Sequence, residues 1–221
     1  MAIATFLGLC VDATSAERLR VFWAAVLGAT TVGEPGKTWL ELPGRPTRIW
    51  VNEVPEPHTA KNRVHLDVHC GAVDDLLAIG AEVVAPPEGD LTWWQLRSPD
   101  GDEFCAFVRD AVPANRLYEV VVDCQDAAAQ AAWWSALLGV TARTDGDGWY
   151  LEDVPELPCE FLVFDDVPEP MTVKNRVHWD VRAGVDDVLA RGATLLREPT
   201  ADDQWHVLAD PEGLQFCVFQ P

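Results

Sequence analysis

KNRVHLDV at residues 61–68 returns as KNRVHWDV at residues 174–181, with seven of eight positions identical. Such a stretch suits a strand, in which alternate side chains take opposite faces. Val64, Leu66 and Val68 then share one face, and Arg63, His65, Asp67 and His69 the other. The second copy sorts alike, with Val177, Trp179 and Val181 against Arg176, His178, Asp180 and Arg182. One face is built to pack under apolar cover. The other sets an imidazole between a guanidinium and a carboxylate. Two readings stand: a ladder of ion pairs that fixes strand register, or the lining of a cavity in which His65 or His178 works.

The repeat extends outward from this stretch. Trp23 and Gly28 recur as Trp134 and Gly139, while Gly80, Gly101 and Cys105 recur as Gly192, Gly213 and Cys217. The spacing changes by only one or two residues, so insertions belong to loops. The chain of 221 residues therefore reads as a duplication, 1–112 followed by 113–221. The junction is the Pro-containing RDAVPA at 109–114.

Within each copy the pattern is β-α-β-β-β, twice. Thr5–Val11 is short and apolar, a buried strand. Ser15 is placed as an N-cap, and Leu19, Phe22, Trp23, Val26 and Leu27 fall on one helical face. Gly28 supplies the stop. Asp126, Trp133, Trp134, Leu137, Leu138 and Gly139 repeat the arrangement. Strands are expected at Thr38–Leu42, Arg48–Glu53, Glu82–Ala85, Trp93–Arg97 and Glu103–Val108, with a helix over Val73–Ile79. An α+β fold follows: four βαβββ units, curved mixed sheets, helices on the outer face and a polar hollow inside.

Composition removes several classes of function. Net charge is −20, with 36 acidic and 16 basic residues. No Lys/Arg cluster exists to meet phosphates, so neither nucleic acid nor an acidic membrane surface is an expected partner. No apolar run approaches the roughly 20 residues of a membrane span. The N-terminus lacks a basic leader and reads as a first strand. Six scattered cysteines form no CxxC, so a reducing, cytoplasmic setting is expected. No GxSxG, Walker loop or helix-opening GxGxxG is present.

The paired βαβββ units, the helices ending FWAAVLG and WWSALLG, the central KNRVHLD, and the closing SPDGDEFC and DPEGLQFC resemble the vicinal oxygen chelate superfamily. That superfamily includes glyoxalase I, bleomycin-resistance proteins and extradiol dioxygenases. The resemblance implies metal-ligand positions at Gly8 and Glu119, at His65 and His178, and at Cys105 and Cys217. The first copy keeps only His65 and a thiol there. The second offers Glu119, His178 and Cys217, a set suited to zinc or another soft ion. The expectation is thus no cofactor, or one divalent ion (Zn, Ni, Fe or Mn) in the second copy.

Glu119 and His178 are accordingly expected to face each other as acid and base. His65, Asp67, Asp123, Asp180, Arg176, Phe107 and Phe219 would line the substrate's surroundings. A plainer alternative has Glu119 bonded to Arg176 and Asp123 to Arg182. Gly8 is expected to leave room for a bulky molecule, with His69, Glu103, Phe107 and Trp50 around it. Two functions remain open. One is a lyase, isomerase or cyclase acting at a carbonyl or vicinal-oxygen centre of a small organic metabolite. The other is a binder that sequesters a toxic or antibiotic molecule. Whether the halves share one cup, and whether the chain forms a homodimer, stays open.

Overall fold

The computed structural model describes residues 2–34, 36–146, 148–201 and 203–221. Unit 1 comprises β1 (Thr5–Ala13), α1 (Ala16–Leu27), β2 (Thr30–Glu34), β3 (Lys37–Glu41) and β4 (Arg48–Glu53). Unit 2 comprises β5 (Val64–Cys70), α2 (Val73–Ala78), β6 (Glu82–Ala85), β7 (Trp94–Arg97) and β8 (Glu103–Val108). Unit 3 comprises β9 (Leu117–Cys124), α3 (Ala127–Leu138), β10 (Ala142–Thr144), β11 (Trp149–Glu152) and β12 (Phe161–Asp166). Unit 4 comprises β13 (Val177–Arg182), α4 (Val185–Leu189), β14 (Thr194–Arg197), β15 (His206–Ala209) and β16 (Gln215–Phe219). The βαβββ units expected from the repeat are all present. Strand β2 is the one not anticipated.

The helices end where the sequence says. Gly28 and Gly139 close α1 and α3 in the left-handed conformation, at φ 65° and 73°, which costs glycine nothing. Asp126 caps α3 by accepting from the Ala129 amide. Ser15, the expected cap of α1, makes no such bond. The Glu53 carboxylate accepts from the Ala16 amide instead.

The two halves do not fold side by side. Their strands form two eight-stranded mixed sheets, and each takes one unit from each half. Sheet A runs β14-β15-β16-β13-β1-β4-β3-β2, uniting units 1 and 4. Sheet B runs β10-β11-β12-β9-β5-β8-β7-β6, uniting units 2 and 3. The seams are the antiparallel pairs β1–β13 and β5–β9. At each seam the opening strand of one unit meets that of the other, so every cup is built from both copies.

The apolar faces behave as alternation requires. Val64, Leu66 and Val68, with Val177, Trp179 and Val181, are all at most 2% exposed. Trp23 of α1 meets Phe104 of sheet B edge-on at 5.3 Å. Trp134 of α3 meets Trp179 and Phe216 of sheet A at 4.9 and 5.0 Å. Helices α1 and α3 each rest on their own unit's strands and reach the other sheet, so one continuous core joins the two. Burying aromatics of this size supplies a large share of the stability.

The repeated motif also fastens the halves together. Asn175 Oδ1 accepts from the Arg63 amide at 2.6 Å, and Asn62 Oδ1 accepts from the Arg176 amide at 3.3 Å. This reciprocal clasp places the starts of β5 and β13 next to each other. Asp210 of the DPEG turn accepts from Gln130 and Trp134, tying that turn to α3.

Candidate functional site

A cavity of about 960 Å³ opens on the face of sheet B away from the helices. His65 and Asp67 of β5, Cys105 and Phe107 of β8, Glu119 and Asp123 of β9, and Asp165 of β12 line it. The alternation of β5 turns His65 and Asp67 inward, as expected. The register then sets Asp67 directly across from Glu119, and beside Cys105 on the other flank.

A β-bulge changes β9. Asp67 pairs with Glu119, but the next residue, Val68, pairs with Leu117, leaving Tyr118 as the extra residue. A bulge breaks strict alternation. Tyr118 and Glu119, consecutive in sequence, therefore both line the cavity. Tyr118 joins an aromatic wall in which its ring lies 5.5 Å from Phe107 and 6.1 Å from Phe161. Trp93 stacks on Phe107 at 5.5 Å, and Tyr150 meets Phe161 at the same distance. The sequence offered no sign of Tyr118, because a bulge cannot be read from alternation.

His65 is held between two carboxylates. Its Nδ1 is 2.8 Å from Asp67 Oδ1, and its Nε2 is 3.7 Å from Asp123 Oδ1. Lys61 forms an ion pair with Asp123 from the motif's first position. Burial alone would lower the His65 pKa. The charge of Asp67 and bonds from Asp123, Asp67 and Cys105 outweigh this and raise it well above 6.5. The cationic form of the ring is thereby favoured, with Nδ1 toward Asp67 and Nε2 on the side of Asp123. For Asp123, burial pushes upward, but His65 and Lys61 hold its carboxyl below the usual range.

Glu119 differs from its neighbours. Burial and the charge of Asp67 push its pKa up to about 7, with Asp165 adding to the rise, while Tyr118 and His65 oppose it. A carboxyl poised near neutrality can take or give a proton at working pH. The cavity is acidic overall. Asp67, Glu103, Glu119, Asp123, Asp145, Glu152, Asp165 and Asp166 line it against Lys61, Arg97 and His65.

The expected Glu119–His178 pair does not form, because Glu119 lies in sheet B and His178 in sheet A. Glu119 shares its cup with His65, Asp67 and Cys105 instead. The ligand set Glu119, His178 and Cys217 is likewise divided between sheets. The expected surroundings of Gly8 are divided too. Trp50 is in sheet A with Gly8, whereas His69, Glu103 and Phe107 are in sheet B. Nor is Gly8 open to a bulky guest, since a Cβ there would meet the Trp50 indole at 3.5 Å.

Arg176 does not serve a cavity. It is 7% exposed, bonded to Asp100 at 2.7 Å and to the Glu56 carbonyl at 2.8 Å, with Asp102 at 3.6 Å. The plainer alternative fails with it, because Arg176 takes Asp100 rather than Glu119, and Asp123 takes Lys61 rather than Arg182.

Sheet A repeats the frame of the cup with several exchanges of side chain. Lys174, His178, Asp180 and Cys217 stand where Lys61, His65, Asp67 and Cys105 stand in sheet B, and Asp12 stands for Asp123. Gly8 replaces Glu119 and Cys10 replaces Val121. Cys10 pairs with His178 and Gly8 with Asp180 across the seam. Phe219 stacks on Trp205 at 5.4 Å, as Phe107 does on Trp93. His178 is turned differently from His65. Its Nδ1 is buried without a hydrogen-bond partner, and burial lowers its pKa to about 4, so the ring is neutral.

Two donor groups of metal-binding composition exist among the described residues: His65, Asp67 and Cys105, and Cys10, His178 and Asp180. In each group the donor atoms lie within 4.8 Å of one another. In the first, His65 Nδ1 is already taken up by Asp67 Oδ1 at 2.8 Å. In the second, an imidazole whose Nδ1 has no hydrogen-bond partner stands with a carboxylate and a thiol, a set suited to a soft divalent ion.

A family model described as the glyoxalase-like domain matches residues 8–107 and again 119–219. Comparison with curated proteins gives no match. Among solved structures, glyoxalase I from Zea mays superposes with a TM-score of 0.68 at 13% identity, covering 97% of this chain and 92% of that one. A putative dioxygenase from Bacillus subtilis subsp. subtilis str. 168 gives 0.62 at 12% identity, over 98% and 84% of the two chains. At these identities the likeness speaks for the fold.

Proposed function

Because this chain belongs to the glyoxalase-like domain family, as a two-domain member of the vicinal oxygen chelate superfamily, we propose that the sheet B cup binds a small organic molecule and moves a proton at its carbonyl or vicinal-oxygen centre. The carrying observation is the register of β5 and β9, which sets Glu119 across from Asp67 inside the cavity. Glu119 is the general base that takes a proton from carbon and returns it to the neighbouring position or to a leaving group. The imidazolium of His65, fixed by Asp67 and Asp123, stabilises oxygen charge as it develops. Such proton transfer contributes about 10²–10⁴-fold. Isomerase, lyase and cyclase outcomes share this first step. No metal is needed for it.

The aromatic wall supports a second reading, that of a binder. Trp93, Phe107, Tyr118, Tyr150 and Phe161 offer stacking faces above an acidic floor. That pairing suits a planar cationic molecule, as sequestration of an antibiotic would require. The experiment is exchange of carbon-bound hydrogen for deuterium, followed by NMR over a panel of small aldehydes and ketones. Exchange catalysed by the parent and lost in Glu119→Gln supports the enzyme. Exchange by neither, with Trp fluorescence quenched by cationic aromatics in both, supports the binder.

We take residues 1–112 and 113–221 as the units of duplication, which the repeated order of elements supports. Both cups are complete within one chain, so no second copy is required. No helix is long and apolar enough to cross a membrane. The six cysteines are free thiols, which supports a reducing, cytoplasmic setting.

A further inference from the structure

Among the exchanges between the two cups, Glu119 to Gly8 and Val121 to Cys10 fall directly beside the histidine and its carboxylate. Around His65 the deep β9 position is Val121, and the imidazole turns to the carboxylates. Around His178 the corresponding position is Cys10, whose Sγ lies 3.5 Å from Asp180 Oδ2. One imidazole nitrogen, the thiol sulfur and a carboxylate oxygen converge within 4.8 Å. All three residues are buried, at 4%, 9% and 8% exposure for Cys10, His178 and Asp180. His178 Nδ1 has no hydrogen-bond partner, and a buried polar atom left unpaired is costly.

We propose that the sheet A cup is a binding site for one divalent transition-metal ion of the zinc type, held by Cys10 Sγ, an imidazole nitrogen of His178 and a carboxylate oxygen of Asp180. Three protein ligands leave a fourth position for water or a small ligand. A sulfur, nitrogen and oxygen set of this kind favours zinc over magnesium or calcium. Cys217, the register partner of Asp180, bonds its carboxylate and orients it toward the ion. On binding, the Cys10 thiol gives up its proton to solvent and the thiolate takes the metal. Cys10 and Asp180 lie outside the ligand positions that the family resemblance implies.

The test uses the full chain, stripped with a chelator and titrated separately with Co(II) and Zn(II). Stoichiometry is read by elemental analysis and thiolate ligation by the near-ultraviolet charge-transfer band of the cobalt protein. One ion per chain with a sulfur-to-cobalt band is expected. Cys10→Val removes the band and weakens Zn(II) binding by about 10–100-fold or more, and His178→Gln weakens it similarly. His65→Gln and Glu119→Gln, in the other cup, leave both readouts unchanged. Absence of the band in the parent overturns the proposal even if no variant folds. So does a band that survives Cys10→Val, or a stoichiometry that follows His65. Because the two cups are separate, loss of proton exchange in the first leaves this result intact, and the reverse holds.

Discussion

Asp67 on β5 and Glu119 on β9 are register partners, so two carboxylates stand across one seam in one cup. Like charges this close do not both ionise at ordinary pKa values. Burial and the charge of Asp67 push the Glu119 carboxyl up to about 7, while Asp67 itself faces the His65 ring at 2.8 Å.

Glu119 therefore ties stability to pH. Its folded pKa of about 7 stands above the ordinary 4.5. The folded chain keeps a proton that the unfolded chain releases, so this contribution is complete below pH 4.5 and lost as pH rises through about 7. Glu119→Gln, neutral throughout, should match the parent near pH 4 and exceed its stability near pH 8 by on the order of 1–3 kcal/mol. Urea denaturation at the two pH values measures it. The same variant should lose about 10²–10⁴-fold of any proton-transfer rate.

His65 acts in the opposite sense on its neighbour. Its own pKa is raised well above 6.5, so its stabilising effect is full below pH 6.5 and is lost as pH climbs through the raised value. NMR should find its ring protonated at neutrality. His65→Gln leaves Asp67 without its cationic partner, while Asp123 keeps Lys61, at a cost of about 3 kcal/mol. It should also move the acidic limb of a pH–rate profile upward, since His65 is one of the groups holding Glu119 down.

Arg176 should matter for folding alone. Replacing it with Gln strips the half-buried Asp100 and the buried Asp102 of their cation and should cost about 3–5 kcal/mol. A ligand titration on the surviving folded fraction should show unchanged affinity for the sheet B cup. A weakened affinity would return Arg176 to the binding role that the motif first suggested.

The Asn62 and Asn175 clasp invites a double-mutant cycle. Each Ala variant removes one bond to a backbone amide and should cost about 1 kcal/mol. The two sites share one junction, so their effects should couple rather than add.

Most of the fold was legible because repetition and periodicity are local properties of the chain. Trp23, Trp134 and the two KNRVH stretches marked four units and sorted inward from outward faces correctly. Pairing between units is not local. Nothing in the composition of Glu119 or His178 says which opening strand crosses which, so a pair drawn from one copy came apart across two sheets. Tyr118 was hidden for a different reason, since one extra residue in β9 turns a side chain around without changing the pattern that encodes the strand. Cys10 was passed over as an ordinary apolar strand residue. Only its register against His178 gives it meaning.

The exchange of units between halves has a consequence for how such a chain could have arisen. Residues 1–112 alone would leave β1 and β5, which are central strands in the whole molecule, as bare edges open to pairing. A lone half would satisfy both by meeting a twin of itself about a twofold axis. The present molecule reads as that symmetrical ancestor joined end to end, after which each hollow was free to drift toward its own chemistry.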